Sequence, residues 1–505
     1  MDKIVVVLLL IAIALSSQES GLASILLAGV NAALVWRYAA QGRWQSAPIG
    51  VLSVLLLVVM LFSPGSPPAS WLLVTFIVSA LLASWLLWLS PIPELPNPTG
   101  RYRVGRHQIE FPGPRSPLQA YIWYPARNSR EGTQHRYFTQ QEAQAFSNSY
   151  RALGAPGFFD KHWQLVATHS LQNTAAQPGK FPLIVFNHGG ALWPLQNTVL
   201  MEELASHGYI VCSLAHPGES GGVAWKNGSI CPLDADLVAR MKQQGQSNKP
   251  YANFQLCQDA EQKRGYLEEL VAVNGQYTSE LTQHWADDSL ALVNHLKSNI
   301  ANPGQGNGDL NDLAMSIDLE NRAYAGMSLG GSVAHECCFR DPDAKAGINL
   351  DGMNWSYERR DKNVPTAFLQ LYGDPILLVE QLKTMADPMA TEPGPNCANN
   401  LMCNDFCYEA PEQRGQRADV WRIVLKGAGH MAFTDKMIAS RGWLRKLWGI
   451  GPIDGESGLM SVNNLCRHFL DRYVKGIESE EVELMLNNNQ VVVRQQPPVS
   501  TAGEA

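Results

Sequence analysis

The sequence predicts a mixed α/β fold, a mostly parallel sheet with helices on both faces, preceded by an N-terminal bundle of about four transmembrane helices. Three observations carry that expectation: an N-terminal fifth almost free of charge, an alternation of strand-like and helix-like segments after it, and a glycine-flanked serine at one strand-to-helix junction. Of the 39 basic and 46 acidic residues in this 505-residue chain, only six together lie in the first 100 positions. Such asymmetry excludes one uniform globular domain and fits a membrane segment joined to one large soluble domain. The net charge of -7 belongs to the later part, because the six early charges cancel. An acidic soluble part argues against nucleic acid as a partner.

Residues 1–90 hold four apolar stretches, at 4–15, 22–36, 48–62 and 71–89. Crossing ~30 Å of hydrocarbon takes about 20 helical residues, so the fourth spans most comfortably and the others need their small-residue flanks. Trp36, Trp71, Trp85 and Trp88 stand at segment ends, where interfacial aromatics belong. A secretory signal peptide is the rival for residues 1–17, since Lys3 precedes an apolar run. Arg37 and Arg43 mark the second connection as cytoplasmic, which with four spans places the soluble domain on the cytoplasmic side. Cysteine usage points the other way: Cys397, Cys403 and Cys407 cluster, with Cys231 and Cys257 elsewhere, a pattern suited to disulfides in an oxidising compartment. Their spacing lacks the paired C-x2-C of zinc sites, and neither metal nor cofactor is expected.

A Pro-rich linker over 91–100 cannot continue a helix and reads as a stiff spacer. The catalytic domain is expected over 101–477, with an irregular insertion at about 217–262 that is a candidate lid or a passive surface loop. Strand-like runs fall at 120–124, 182–186, 209–214, 323–327, 346–350, 366–372 and 420–425, with helix-like stretches at 288–296, 331–339 and 375–384. Strands alternating with helices imply the parallel sheet. The Asn-, Gln- and Glu-rich tail over 478–505 reads as mobile.

Gly326-Met327-Ser328-Leu329-Gly330 matches G-x-S-x-G, whose small residues let a strand turn sharply into a helix and present a serine hydroxyl. That hydroxyl needs a base, and the base needs an acid to hold its tautomer. His430, in a glycine-rich loop directly after the 420–425 strand, is the expected base. Two acids compete: Asp351 one strand after the serine, and Asp374 one strand later. Both follow strand C-terminal ends, both sit in good turn dipeptides, and strand order alone favours Asp374. An oxyanion hole requires two N–H donors: one from Leu329, and one from the Asn187-His188-Gly189-Gly190-Ala191 loop. Gly190 is the choice there, with Gly189 and Ala191 as near alternatives.

Further motifs carry a resemblance: Pro98-Thr99-Gly100-Arg101-Tyr102-Arg103-Val104-Gly105, Ile122-Trp123-Tyr124-Pro125-Ala126, Phe186-Asn187-His188-Gly189-Gly190, Leu204-Ala205-Ser206-His207-Gly208-Tyr209-Ile210-Val211, Asn349-Leu350-Asp351-Gly352, and His430 with Phe433-Thr434-Asp435. With these the chain resembles the platelet-activating-factor acetylhydrolase family of α/β-hydrolases, from about Pro93 onward. Arg43-Trp44-Gln45 with Pro48 is similar to the membrane part of its bacterial membrane-anchored members. The resemblance implies an α/β-hydrolase fold, Asp351 as the acid, and calcium-independent hydrolysis of a short or oxidised sn-2 acyl ester of a phospholipid. Multiple spans and the 217–262 insertion depart from the mammalian members.

The expected function is therefore a membrane-tethered serine esterase: Ser328 attacks, His430 is the base, Asp351 orients it, and Leu329 and Gly190 hold the oxyanion. Its partners are a phospholipid and the bilayer; the sequence gives no oligomeric state. Two rivals keep the fold. One is a carboxylesterase or peptidase on soluble substrates, the other an inactive membrane receptor or scaffold.

Overall fold

The computed structural model describes residues 29–30, 32–33, 35–37, 42–62, 69–127, 132–244, 248–257, 260–302, 311–386, 408–410, 413, 416–479 and 491–495. They divide into two compact units.

The larger unit is built on an 11-stranded sheet in the order β13-β12-β11-β10-β9-β5-β6-β2-β1-β4-β3. Its strands are β1 (Arg103–Phe111), β2 (Leu118–Ala126), β3 (Thr133–Arg136), β4 (Ala167–Gln172), β5 (Phe181–Asn187), β6 (Ile210–Ala215), β9 (Ile317–Met327), β10 (Ala344–Leu350), β11 (Ala367–Tyr372), β12 (Val420–Leu425) and β13 (Val491–Gln495); a separate two-stranded ribbon joins β7 (Val223–Ala224) to β8 (Ile230–Cys231). From β6 to β12 all neighbours run parallel. That block explains the uninterrupted apolar runs: every residue of β5, β6 and β11 is buried, as strands covered on both faces require. Beyond it β2 pairs antiparallel with both β6 and β1. In β1 buried and partly exposed positions are mixed, so its strand signal is diluted in the sequence.

Helices close the sheet. Leu329–Arg340 follows β9 and buries ten of its residues, and Gly455–Lys475 is started by Asp454, whose side chain accepts from Ser457 N–H, and stopped by left-handed Gly476. The insertion differs from expectation: instead of irregular chain it contains the β7–β8 ribbon and helices Ala235–Gln244 and Asn248–Leu256, and runs into helix Ala260–Leu270 at its end. Phe254, Leu267 and Leu270 bury apolar surface with Tyr357, with Met353 and Trp355 against them, so two of these helices lie on the loop that follows Asp351. The tail also departs from expectation, because residues 491–495 form β13, the antiparallel edge partner of β12.

The smaller unit gathers Met1–Glu94, Arg136–Ala167 and Ala439–Leu444. Its described helices include Ala47–Phe62, Ala69–Leu89 and Gln140–Ala152, the last begun by a reciprocal Thr139–Glu142 capping box. Trp44 meets Phe158 with ring centroids 5.2 Å apart and the planes tilted by 47°, and Gln45 Nε2 donates to Ser90 O at 2.8 Å. Among the described residues no helix is long and apolar enough to cross a membrane. The four-helix transmembrane bundle expected over 1–90 is thus not found in the described structure: its first two stretches fall mostly outside the described residues, and the third forms a helix of 16 residues. Large apolar side chains are nonetheless exposed on the two apolar helices, Val78 at 58% and Leu81 at 64% among them.

Candidate active site

The loops at the C-terminal ends of β5, β9, β10, β11 and β12 carry every residue singled out as catalytic. Ser328 ends β9 with φ 57° and ψ -120°, a conformation that holds the serine off both strand and helix geometry. Its flanking glycines are required by contact. A β-carbon on Gly326 would lie 2.1 Å from Gly330 O, and one on Gly330 would lie 2.0 Å from Asn187 O. Ser328 N–H donates to Leu350 O at 2.9 Å, so the bend is locked to β10.

His430 opens a short 3-10 turn, His430–Phe433, after β12. Its Nε2 lies 3.0 Å from Ser328 Oγ, and its Nδ1 lies 2.7 Å from Asp351 Oδ2. A carboxylate only accepts, so Nδ1 carries the proton and Nε2 presents a lone pair to the serine hydroxyl. The second Asp351 oxygen, Oδ1, accepts from Gly373 N–H at 2.6 Å, and Asp351 N–H donates to Leu371 O at 2.8 Å. Acid and base are thereby oriented by neighbouring strands. His430 is 47% exposed and Asp351 20%, so the relay is open to an incoming substrate.

Asp374 stands elsewhere. Its Oδ2 accepts from Gly427 N–H at 2.8 Å and its Oδ1 from Ile376 N–H at 3.0 Å, the bonds of a turn former. Strand order alone favours it; the geometry places Asp351 on the histidine instead.

On the oxyanion side, a β-carbon on Gly190 would lie 3.8 Å from Leu329 Cδ2, so the glycine loop packs against the residue that follows the serine. The neighbouring Gly189 N–H is engaged with Gln196 Oε1 at 3.2 Å. No sequence pattern marks the next links. Gln196 Nε2 donates to Asn197 Oδ1, and Asn197 Nδ2 donates to Phe433 O at 2.7 Å, so the glycine loop and the histidine turn are fastened to each other. Gln196 and Asn197 match no motif; only their long-range bonds reveal them.

Of the five cysteines considered for disulfides, Cys231 is partly exposed and Cys257 buried, and Cys397, Cys403 and Cys407 lie outside the described residues. No group of three or more metal-binding side chains occurs among the described residues.

A parallel-centred sheet with a strained serine at one strand end, its base after a later strand and its acid between them defines a serine hydrolase of the α/β-hydrolase fold. The chain belongs to the family described as platelet-activating factor acetylhydrolase, isoform II, whose family model matches residues 89–490. It is similar to the platelet-activating factor acetylhydrolase of Gallus gallus, 24% identical over 334 residues that cover 65% of this chain and 70% of the relative. The Bos taurus platelet-activating factor acetylhydrolase is 23% identical over 413 residues, 79% and 80% of the two chains. Among solved structures, a ferulic acid esterase from Streptomyces cinnamoneus matches with a TM-score of 0.51 at 18% identity, covering 80% of this chain and 99% of that one, a likeness of fold. The protein is a serine carboxylic ester hydrolase.

Proposed function

We propose that the chain hydrolyses the sn-2 ester of phospholipids bearing short or oxidised acyl chains, without calcium, at a membrane surface. The observation that carries the reading is the open relay in which Ser328 Oγ, His430 Nε2 and Nδ1, and Asp351 Oδ2 follow one another at 3.0 and 2.7 Å. In the reaction Ser328 Oγ bonds to the ester carbonyl carbon while its proton passes to His430 Nε2. Charge gathers on the former carbonyl oxygen, where the Leu329 and Gly190 N–H groups stabilise it, and Asp351 stabilises the imidazolium. Collapse expels the lysophospholipid alkoxide, which takes the proton from His430. Water then repeats the sequence on the acyl-enzyme and frees the acid.

Support for the lipid comes from family membership and from the exposed apolar side chains of Ala47–Phe62 and Ala69–Leu89, which favour attachment to a bilayer over exposure to water. Attachment raises the effective concentration of lipid at the site. A cytoplasmic-facing catalytic domain accords with Arg37 and Arg43.

Lipid analysis of extracts treated with the purified enzyme and with Ser328→Ala tests the reading. Release of lysophospholipid and short acid by the wild type alone supports it. Turnover of simple esters or peptides without any phospholipid product moves the assignment to a soluble-substrate carboxylesterase.

A further inference from the structure

We propose that His188 is a positioning residue of the oxyanion hole: its Nδ1–H, held by Ser220, fixes the Gly189–Gly190 peptide so that the Gly190 N–H faces the reacting carbonyl. The proposal rests on the esterase reading above and extends it to a residue that no part of that mechanism uses. Three distances determine the hydrogen-bond direction. His188 Nδ1 lies 2.7 Å from Gly189 O, which can only accept, so Nδ1 carries the proton. Nε2 is then a bare acceptor, 2.7 Å from Ser220 Oγ. That oxygen itself accepts from His216 N–H at 2.7 Å, leaving the Ser220 hydroxyl proton for Nε2.

The peptide geometry supplies the rest. In a trans peptide the C=O and the following N–H point in opposite directions, so an anchor on Gly189 O sets the direction of the Gly190 N–H. Leu192 N–H adds a second bond to the same oxygen at 3.0 Å. Burial keeps the imidazole neutral, with its pKa pushed down to about 3, so Nε2 stays a bare acceptor for Ser220 at working pH. The scaffold behind it is rigid and buried: His216 bonds Asp288 Oδ2 at 2.8 Å and Asn187 Oδ1 at 3.1 Å, and stacks on Trp285 at 3.9 Å.

The test uses purified full-length enzyme hydrolysing p-nitrophenyl acetate, with thermal midpoints recorded alongside. His188→Leu is expected to lower kcat about 10²-fold, the scale of losing one oxyanion donor, with KM within about threefold. Inactivation by a fluorophosphonate, whose adduct also places an oxygen in the hole, should slow in parallel. His188→Asn, whose amide can donate from near the Nδ1 position, should recover at least about tenfold of the loss. Ser220→Ala should lower kcat about tenfold by freeing the other tautomer. His188→Leu with kcat within about threefold of wild type, or an Asn variant as slow as Leu at an equal thermal midpoint, overturns the proposal. Should His188→Leu fail to fold, Ser220→Ala decides, and unchanged kcat there overturns it. Ser328→Ala separates the two levels: if it stays active, the esterase reading itself fails; if it is dead while His188→Leu is active, only the positioning role fails.

Discussion

Asp351 meets His430 through Oδ2 and Nδ1 at 2.7 Å, while the rival carboxylate of Asp374 accepts the amides of Gly427 and Ile376. Asp351→Asn should therefore lower kcat by about 10³- to 10⁴-fold, because an amide in that place disturbs the Nδ1–H tautomer and no longer stabilises the imidazolium. Asp374→Ala should lower the thermal midpoint and change kcat less than about tenfold. Steady-state kinetics and thermal melts on the two variants check both statements, and a reversed order would return the acid to Asp374.

The serine bend tolerates no added atom. With a β-carbon only 2.0 Å from Asn187 O, Gly330→Ala is expected to cost about 3 kcal/mol of stability and to abolish activity by shifting the Ser328 hydroxyl. Denaturant melts and fluorophosphonate labelling measure the two effects separately.

These two sites show what the sequence made legible. The bend at Ser328 is local, five residues long and dictated by contacts within it, so its pattern survives in the letters. The central strands β5, β6, β9, β10, β11 and β12 were readable because burial on both faces leaves unbroken apolar runs. Other parts depend on distant partners. Asp351 and Asp374 occupy equivalent strand ends and differ only in which loop each faces. The strand β13 gains its meaning from β12, and the insertion helices from apolar contact with Tyr357. His188 and His216 read as ordinary loop or core histidines, since their partners Ser220 and Asp288 carry no motif.

Arg322 lies buried with Asp341, its Nη2 2.5 Å from Oδ1, and Tyr324 donates to Asp341 Oδ2 at 2.6 Å. Arg322→Leu should destabilise the protein by about 3–5 kcal/mol by leaving the carboxylate unpaired. The double variant Arg322→Leu with Asp341→Leu should be less damaged than Arg322→Leu alone. Chemical denaturation of wild type, both single variants and the double variant closes that cycle.

Stability should fall in acid. Burial lowers the pKa of His188 and of His135 from 6.5 to about 3, with Arg106 adding to the effect on His135. Between those values the unfolded chain binds more protons than the folded one, so stability is full above about pH 6.5 and is lost progressively towards pH 3. Urea melts at a series of pH values should show that slope, and His135→Gln should reduce it.

Charging the exposed apolar helices should weaken bilayer attachment. Val78→Arg with Leu81→Arg is expected to reduce flotation with phospholipid vesicles about tenfold or more, leaving hydrolysis of p-nitrophenyl acetate within about twofold. Equal flotation of variant and wild type would remove these helices from the membrane reading.

Asn349 ties the nucleophile's surroundings to the acid's. Its Oδ1 accepts from Gly352 N–H at 2.8 Å, and its Nδ2 donates to Gly352 O at 3.0 Å and to Tyr408 Oη at 3.0 Å. The same side chain fills the space beside Gly331, at the start of the helix that carries Ser328's successor residues. One amide thus braces two loops at once, and a change at Asn349 would be felt by the acid's turn and by the helix after the serine together.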